Sequence, residues 1–226
     1  MSSLSLKNNK QPRAHAYIDA SNLFYGGKKS LGWSIDYKKL AEYLKQRYNC
    51  KQLYYFGGIE TYKFPYNYVA NETVPLDELL KYLRRVRKNN LAKKKLIKQL
   101  DKYIQRAKFY KKLQKFGYKL VLKPVKIYIQ PDGTKRLKAN CDLDMALMMT
   151  KNVDKYDRAM VLSGDGDFLA VLKHIRHCKK EVILLARSKR TAKEIKHFAG
   201  AGFRDFDYLK YLIGQSVGTP PKKNPK

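Results

Sequence analysis

The chain has 226 residues, of which 49 are Lys or Arg and 19 are Asp or Glu, so its formal charge at pH 7 is +30. Hydrophobic residues make up 44% of it, which is enough for a folded core and excludes a disordered basic protein. A charge of this size favours a polyanionic partner. Because the sequence has no lipid-attachment motif and no long apolar run, we expect that partner to be nucleic acid and not a membrane.

The cysteines and histidines indicate the compartment and exclude some chemistry. Three scattered cysteines, Cys50, Cys141 and Cys178, are typical of reduced thiols in a cytoplasm, and the first residues lack the apolar core of a signal peptide. The four histidines are scattered too, and no Cys/His cluster indicates zinc. We therefore expect a cytoplasmic protein whose chemistry, if any, is carboxylate chemistry.

The run 159–162 is apolar without polar alternation, as in a strand that is buried on both faces of a parallel sheet. The predicted strands cover 14–19, 52–56, 118–122, 159–162, 181–186 and 203–206. The second of these is expected to stop at Gly57-Gly58, and 125–129 with 135–138 is expected to form a hairpin or extended arm. Helical patterns lie between the strands. This alternation predicts an α/β fold with a mostly parallel, doubly wound sheet and helices on both faces.

The predicted domain organisation is simple. We expect one ordered domain over 14–214, preceded by a flexible leader over 1–13. The residues 215–226 are rich in Pro and Lys and are expected to be a disordered tail.

A basic helical segment of the domain, about 75–116, carries much of the charge. From Lys81 to Lys115 it has fifteen Lys or Arg and one acid, Asp101. A charge run is usually the solvated face of an amphipathic helix, but such faces normally mix both signs. This one-sided excess therefore predicts a contact with nucleic-acid phosphates.

Carboxylates directly follow two of the predicted strands. The strand 14–19 ends at Asp19, and 159–162 is followed by Ser-Gly-Asp-Gly-Asp, which places Asp165 and Asp167 at a tight glycine turn. Ligands of open α/β sheets bind at the carboxyl ends of the strands. Because gathered carboxylates repel one another unless a cation lies among them, the pattern predicts a metal site.

Five motifs in a fixed order carry a family resemblance. They are Tyr-Ile-Asp-Ala-Ser-Asn-Leu (17–23), Gly-Trp-Ser-Ile-Asp-Tyr-Lys-Lys-Leu (32–40), Lys-Pro-Val-Lys (123–126), Lys-Ala-Asn-Cys-Asp-Leu-Asp (138–144) and Ser-Gly-Asp-Gly-Asp-Phe (163–168). Together they resemble the LabA-like branch of the NYN domain family, in the PIN-like nuclease superfamily. No single motif is decisive, but the ordered set is specific, and the resemblance covers about 14–212.

The resemblance implies a three-layer α/β/α sandwich and a ribonuclease that depends on Mg²⁺ or Mn²⁺, which hard carboxylate oxygens suit. By motif position it implies four acids as catalytic groups and metal ligands: Asp19, Asp142, Asp165 and Asp167. Asn22 and Ser163 are implied as polar supports, and Asp144 falls where relatives often have Asp or Glu. We expect no small-molecule organic cofactor.

The predicted RNA contacts are basic residues in the helical segment and near the acids. They are Lys28, Lys29, Arg84, Arg85, Arg87, Lys88, Lys138 and Arg187. Lys123 and Lys126 are further candidates for a phosphate track. Surface solvation explains any one of these side chains equally well.

Other readings of the same residues stay open. Asp167 alternatively caps a helix that begins at Phe168, and Asp142 one that begins near Leu143. A phosphatase with an aspartate nucleophile would need Asp-x-Asp after the first strand, and a receiver domain leaves Gly-Asp-Gly-Asp unexplained. The remaining alternative is a non-catalytic RNA-binding or ribosome-associated adaptor that uses the same basic surface.

Overall fold

The computed structural model describes residues 11–26, 32–67 and 69–215. Its strands are β1 (Ala14–Asp19), β2 (Cys50–Ile59), β3 (Tyr118–Pro124), β4 (Lys126–Ile129), β5 (Lys135–Lys138), β6 (Arg158–Leu162), β7 (Glu181–Ala186) and β8 (Phe203–Asp205). Its α-helices are α1 (Ala20–Gly26), α2 (Tyr37–Tyr48), α3 (Leu76–Lys88), α4 (Lys94–Lys115), α5 (Asp142–Lys151), α6 (Leu169–His177), α7 (Lys193–Ala199) and α8 (Lys210–Ile213). Most of the predicted leader and tail lies outside the described residues.

The main sheet has six strands in the order β3-β2-β1-β6-β7-β8, and every adjacent pair is parallel. The chain moves outward from β1 through β2 to β3, returns to the other side of β1 as β6, and moves outward again through β7 to β8. This reversal creates a topological switch point between β1 and β6, where open sheets bind ligands. The hairpin of β4 and β5 forms a separate antiparallel pair, as predicted.

Helices cover both faces of the sheet, which confirms the predicted α/β/α sandwich. Along β1, Ala16 and Ile18 pack into one core with α2, α3 and α4, whereas Tyr17 packs into the other with α5, α6 and α7. Every residue of β1 is buried. A polar side chain on either face would lose its hydration, which explains why the run shows no alternation.

The second strand is longer than predicted, because β2 continues through Gly57 and Gly58 to Ile59. A Cβ on Gly57 would lie 3.1 Å from the Cβ of Ala20, and one on Gly58 would lie 2.6 Å from the Cβ of Ala139. These glycines therefore permit close packing inside a strand and do not form a turn.

The basic segment is helical, as predicted, and its two helices, α3 and α4, pack antiparallel. Ion pairs join Arg87 to Asp101 at 2.6 Å and Lys111 to Asp77 at 2.8 Å. Further along α4, Arg106 pairs with Glu60, one residue beyond the end of β2, at 3.5 Å.

Since α4 ends near the amino end of β3, its residues before Arg106 extend beyond the carboxyl edge of the sheet. The first part of α4 and the last part of α3 therefore project on the side of the sheet where β1 and β6 end. No helix in the described ranges has the length and apolar composition that crossing a membrane requires.

Candidate active site at the carboxyl edge of the sheet

Asp19 is the last residue of β1 and is 7% exposed at the switch point. Its Oδ1 accepts hydrogen bonds from the Ser21 amide (2.9 Å), the Ser21 hydroxyl (2.6 Å) and the Asn22 amide (3.3 Å). Its Oδ2 accepts one from the Ser163 hydroxyl (3.0 Å). No Lys, Arg or His in the described part of the chain forms an ion pair with it. Neutral donors alone therefore fix this carboxylate, and Oδ2 keeps acceptor capacity because each carboxylate oxygen has about two lone pairs.

The two residues implied as polar supports contribute in different ways. Asn22 reaches Asp19 through its backbone amide. Ser163 is 1% exposed, and its hydroxyl donates to Asp19 and accepts from the Asp165 amide at 3.3 Å. Ser163 therefore links the acid that ends β1 to the turn that follows β6.

Asp165 caps the 3-10 turn over Gly166–Phe168, because its Oδ1 accepts a hydrogen bond from the Asp167 amide at 3.0 Å. The alternative that made Asp167 the cap is wrong, since Asp167 lies inside the turn with an exposed side chain. The alternative that made Asp142 a cap is also wrong. The N-cap position of α5 is Cys141, and Asp142 is the first residue of the helix.

Two glycines let this turn pack tightly against the region where α7 begins. A Cβ on Gly164 would lie 2.8 Å from Thr191 Oγ1, and one on Gly166 would lie 2.5 Å from Glu194 Oε1. Glu194 is therefore a further carboxylate beside Asp165. Sequence reasoning missed it, because an exposed Glu in the first turn of a helix is ordinary and only the glycine spacing hints at a close neighbour.

Two more acids, Asp142 and Asp144, lie in the first turn of α5, which packs against β1. The neighbouring Cys141 thiol is influenced by both. The pKa of the Cys141 thiol is raised to about 12, mainly by burial. The charges of Asp144, Asp142 and Asp19 contribute to the increase, and Lys123 opposes it. The three carboxylates are therefore near enough to Cys141 for their charges to influence its thiol. Asp144 also pairs with Lys123 Nζ at 2.6 Å.

The donor set fits a hard divalent cation in its chemistry. The candidate ligands are carboxylate oxygens, and Oδ2 of both Asp19 and Asp165 retains lone pairs. Within the described residues, however, no three His, Cys, Asp or Glu side chains are grouped closely enough to hold a metal ion. Joint metal ligation by Asp19, Asp142, Asp165 and Asp167 therefore stays a prediction.

The predicted RNA-binding residues in the helical segment lie on α3. Arg84, Arg85 and Lys88 are exposed. Arg87 is partly buried, because it is held by Asp101. The cationic surface here therefore depends on three of the four predicted residues.

The other predicted RNA contacts lie elsewhere. Arg187 follows the carboxyl end of β7 and pairs with Asp207 at 3.5 Å. Lys138 is the last residue of β5, opposite Lys126. Lys28 and Lys29 lie outside the described residues.

A parallel sheet with a buried aspartate at its switch point, linked to a glycine-aspartate turn, defines an α/β/α domain of the PIN-like kind. The sequence profile of the NYN domain matches residues 13–207, so this chain belongs to the NYN domain family, in the PIN-like nuclease superfamily. The predicted family and fold are thereby confirmed.

Individual relatives are distant but cover nearly the whole chain. The chain is similar to the low amplitude and bright protein LabA of Synechococcus elongatus, with 21% identity over 213 residues, 92% of this chain and 91% of LabA. Its fold is similar to the crystal structure of a protein of unknown function from Vibrio parahaemolyticus. That comparison has a TM-score of 0.56 and 16% identity and covers 95% of this chain and 100% of the other.

Proposed function

We propose that this NYN domain protein is a divalent-metal-dependent ribonuclease that hydrolyses RNA phosphodiester bonds at the carboxyl edge of its sheet. The observation that supports this best is the state of Asp19, a buried carboxylate that neutral donors alone hold at the switch point. A buried carboxylate without a paired cation is costly, so its position favours binding of a cation. Membership of the PIN-like nuclease superfamily supports the same activity.

Each acid has a proposed role that follows from its position. Asp19 and Asp165 would bind the cation through Oδ2, and Asp142 would join them from α5. Asp167, which is exposed on the turn, would ligate the cation or orient the attacking water. When bound, Mg²⁺ or Mn²⁺ supplies Lewis-acid activation of water and neutralises charge on the scissile phosphate.

Ser163 has a positioning role in this proposal. Its hydroxyl contacts Asp19 and the backbone of Asp165, so it holds two acids from distant parts of the chain at a fixed separation. Preorganised ligands of this kind lose little entropy when a cation or substrate binds.

A non-catalytic RNA-binding adaptor is the second candidate function. The observation that favours it is the basic surface of α3 and α4, which needs no acid in order to bind phosphates. Asp144 is also paired with Lys123, so a residue of this chain balances its charge.

A cleavage assay separates the two candidates. Purified protein is incubated with single-stranded and structured RNA in Mg²⁺, in Mn²⁺ and in EDTA, beside an Asp19→Asn variant. The ribonuclease proposal expects cleavage that requires the metal and is lost in the variant, with RNA binding largely retained. RNA binding without cleavage under any of these conditions would instead support the adaptor.

A further inference from the structure

Four cations form an inclined stripe along the outer side of α4. Lys94, Lys98, Lys102 and Arg106 recur at every fourth position, so they lie on one side of the helix. At 1.5 Å per residue, the stripe extends about 18 Å. It borders a shallow groove of about 700 Å³ whose other lining residues are Leu91, Ile97, Asp101 and Gln105.

The groove is strongly cationic, because its acid is already neutralised. Asp101 is paired with Arg87 at 2.6 Å. Lys94, Lys98 and Lys102 are exposed, and none of them forms an ion pair with a described residue. Three ammonium groups therefore face solvent in a row, at low desolvation cost for a polyanion.

The stripe leads to the edge of the sheet that carries the acids. At the carboxyl-terminal end of the stripe, Arg106 pairs with Glu60, just beyond β2. One turn further along α4, the Tyr110 hydroxyl donates to the carbonyl of Gly58 at 2.8 Å. The adjacent Gly57 packs against Ala20, the residue after Asp19. A continuous series of contacts thus connects the stripe to the candidate active site.

We propose that this stripe is a track that binds the backbone of single-stranded RNA and directs it to the acids. The proposal rests on the ribonuclease function and adds to it the form of the substrate. A single row of cations matches one strand, whereas a duplex presents phosphates on two. Leu91 is 66% exposed beside the partly buried Ile97, and these apolar side chains offer contact to the ribose and base of the same strand.

Because Lys and Arg contact phosphates and not base edges, the track positions RNA without selecting its sequence. The triple variant Lys94→Gln/Lys98→Gln/Lys102→Gln tests it. A matched control removes three exposed cations from the same helix on the far side of Arg106: Lys108→Gln/Lys112→Gln/Lys115→Gln. Both variants lose the same net charge, so they differ in where the charge is lost.

Binding is measured by fluorescence anisotropy at several salt concentrations, in EDTA, with an unstructured RNA of about 20 nucleotides, longer than the site of a typical single-strand binder. Each lost phosphate contact lowers the magnitude of the slope of log affinity against log salt by about 0.7. The stripe variant should therefore lose about 2 from that slope, and the control should keep the slope of the unmodified protein. Circular dichroism and thermal unfolding establish that both variants are folded.

The binding measurement does not depend on cleavage, so its outcome tests the track separately from the ribonuclease proposal. Equal slopes in the stripe variant and the unmodified protein would overturn the track, even if the protein cleaves RNA. A loss of slope in the stripe variant alone would support RNA binding by the stripe, and the cleavage assay separately tests whether that RNA reaches a catalytic site. Unchanged RNA binding combined with lost binding to poly-glutamate would assign the stripe to an acidic protein and overturn the proposal.

Discussion

The hydroxyl of Ser163 donates a 3.0 Å hydrogen bond to Oδ2 of Asp19, although 144 residues separate the two in the chain. The contact joins the ends of β1 and β6 at the point where the sheet order reverses. Both residues are buried, so neither can exchange this bond for one with water. The Ser163 hydroxyl therefore couples the position of Asp19 to that of the turn that carries Asp165.

Replacing Ser163 with Ala should destabilise the protein and disorder this edge. A hydrogen bond to a charged group contributes about 1.5–3 kcal/mol, and its loss leaves Asp19 buried with one partner fewer. We expect the free energy of unfolding, measured in urea, to fall by about 1–3 kcal/mol. Ser21→Ala is the control, because Oδ1 of Asp19 keeps two backbone amide donors there. An equal or larger loss in the Ser21 variant would contradict this role of Ser163.

Asp165→Asn should abolish metal-dependent RNA cleavage while the fold is kept, since an amide oxygen can still accept from the Asp167 amide. A close structural copy of this cap supplies the control. Like Asp165, Asp205 accepts a hydrogen bond from the amide two residues on, that of Asp207, at 3.1 Å. It ends β8, which lies at the edge of the sheet and not at the switch point. Asp205→Asn should retain cleavage. Loss of activity in both variants would show that the cap and not its position matters. Full activity in the Asp165 variant would show that its carboxylate is not required.

His15 is a buried imidazole on β1 whose Nδ1 has no hydrogen-bond partner among the described residues. Its ring lies against Tyr17, Tyr54 and Tyr156. Burial, together with the charges of nearby cations, lowers the pKa of His15 from 6.5 to about 4. Those cations are Lys119, Arg13 and Lys155.

The stability of the protein should therefore decrease in mild acid. Between pH 6.5 and about 4, His15 binds a proton in the unfolded chain but not in the folded protein. The free energy of unfolding should thus fall as pH falls through this window, by up to about 3 kcal/mol. Urea unfolding at several pH values measures it. His15→Phe should flatten the dependence, whereas His177→Gln, at an exposed position, should leave it unchanged.

The Arg87–Asp101 pair makes a separate prediction for RNA binding. Arg87→Gln would leave the charge of Asp101 unpaired in the groove beside Lys98 and Lys102. RNA affinity should therefore fall by more than it would after the loss of a single cation far from the groove. Adding Asp101→Asn should restore much of that affinity, because the groove regains its cationic balance. Anisotropy at low and high salt measures both variants. Failure of the second substitution to restore binding would mean that Arg87 itself contacts RNA.

Gly58→Ala should lower stability, since its Cβ would lie 2.6 Å from the Cβ of Ala139 and 2.9 Å from Val125 Cγ2. Overpacking of this kind costs about 1–3 kcal/mol. The compensating double variant Gly58→Ala/Ala139→Gly should recover part of the lost melting temperature. No recovery would indicate that the contact with Val125, at the base of the hairpin, dominates.

The strands that position the acids were predictable because their signal is local. A run that is buried on both faces is mostly apolar. The strand β1 matches the predicted run 14–19 at both ends, and β6 begins one residue before the predicted run 159–162. The prediction that the second strand stops at Gly57-Gly58 was wrong. In the sequence, a pair of glycines is equally consistent with a turn and with close packing inside a strand.

The site was less predictable than the fold. The sequence did not predict that Asp165 is the cap. A 3-10 turn shifts the start of the helix by one or two residues, and side-chain patterns do not resolve such a shift. Only the structure shows that Glu194 lies beside the turn of Asp165, since nothing in its own segment distinguishes it from a solvated helix residue.

The α3–α4 hairpin lies between β2 and β3, two strands that are already paired in parallel. A crossover between such strands can lengthen or shorten without changing the order of the sheet. The acids belong to other parts of the chain, so the length of the hairpin and the acids at the sheet edge can vary independently. Under the proposed function, homologues with hairpins of different length would share one candidate active site and contact RNA segments of different length.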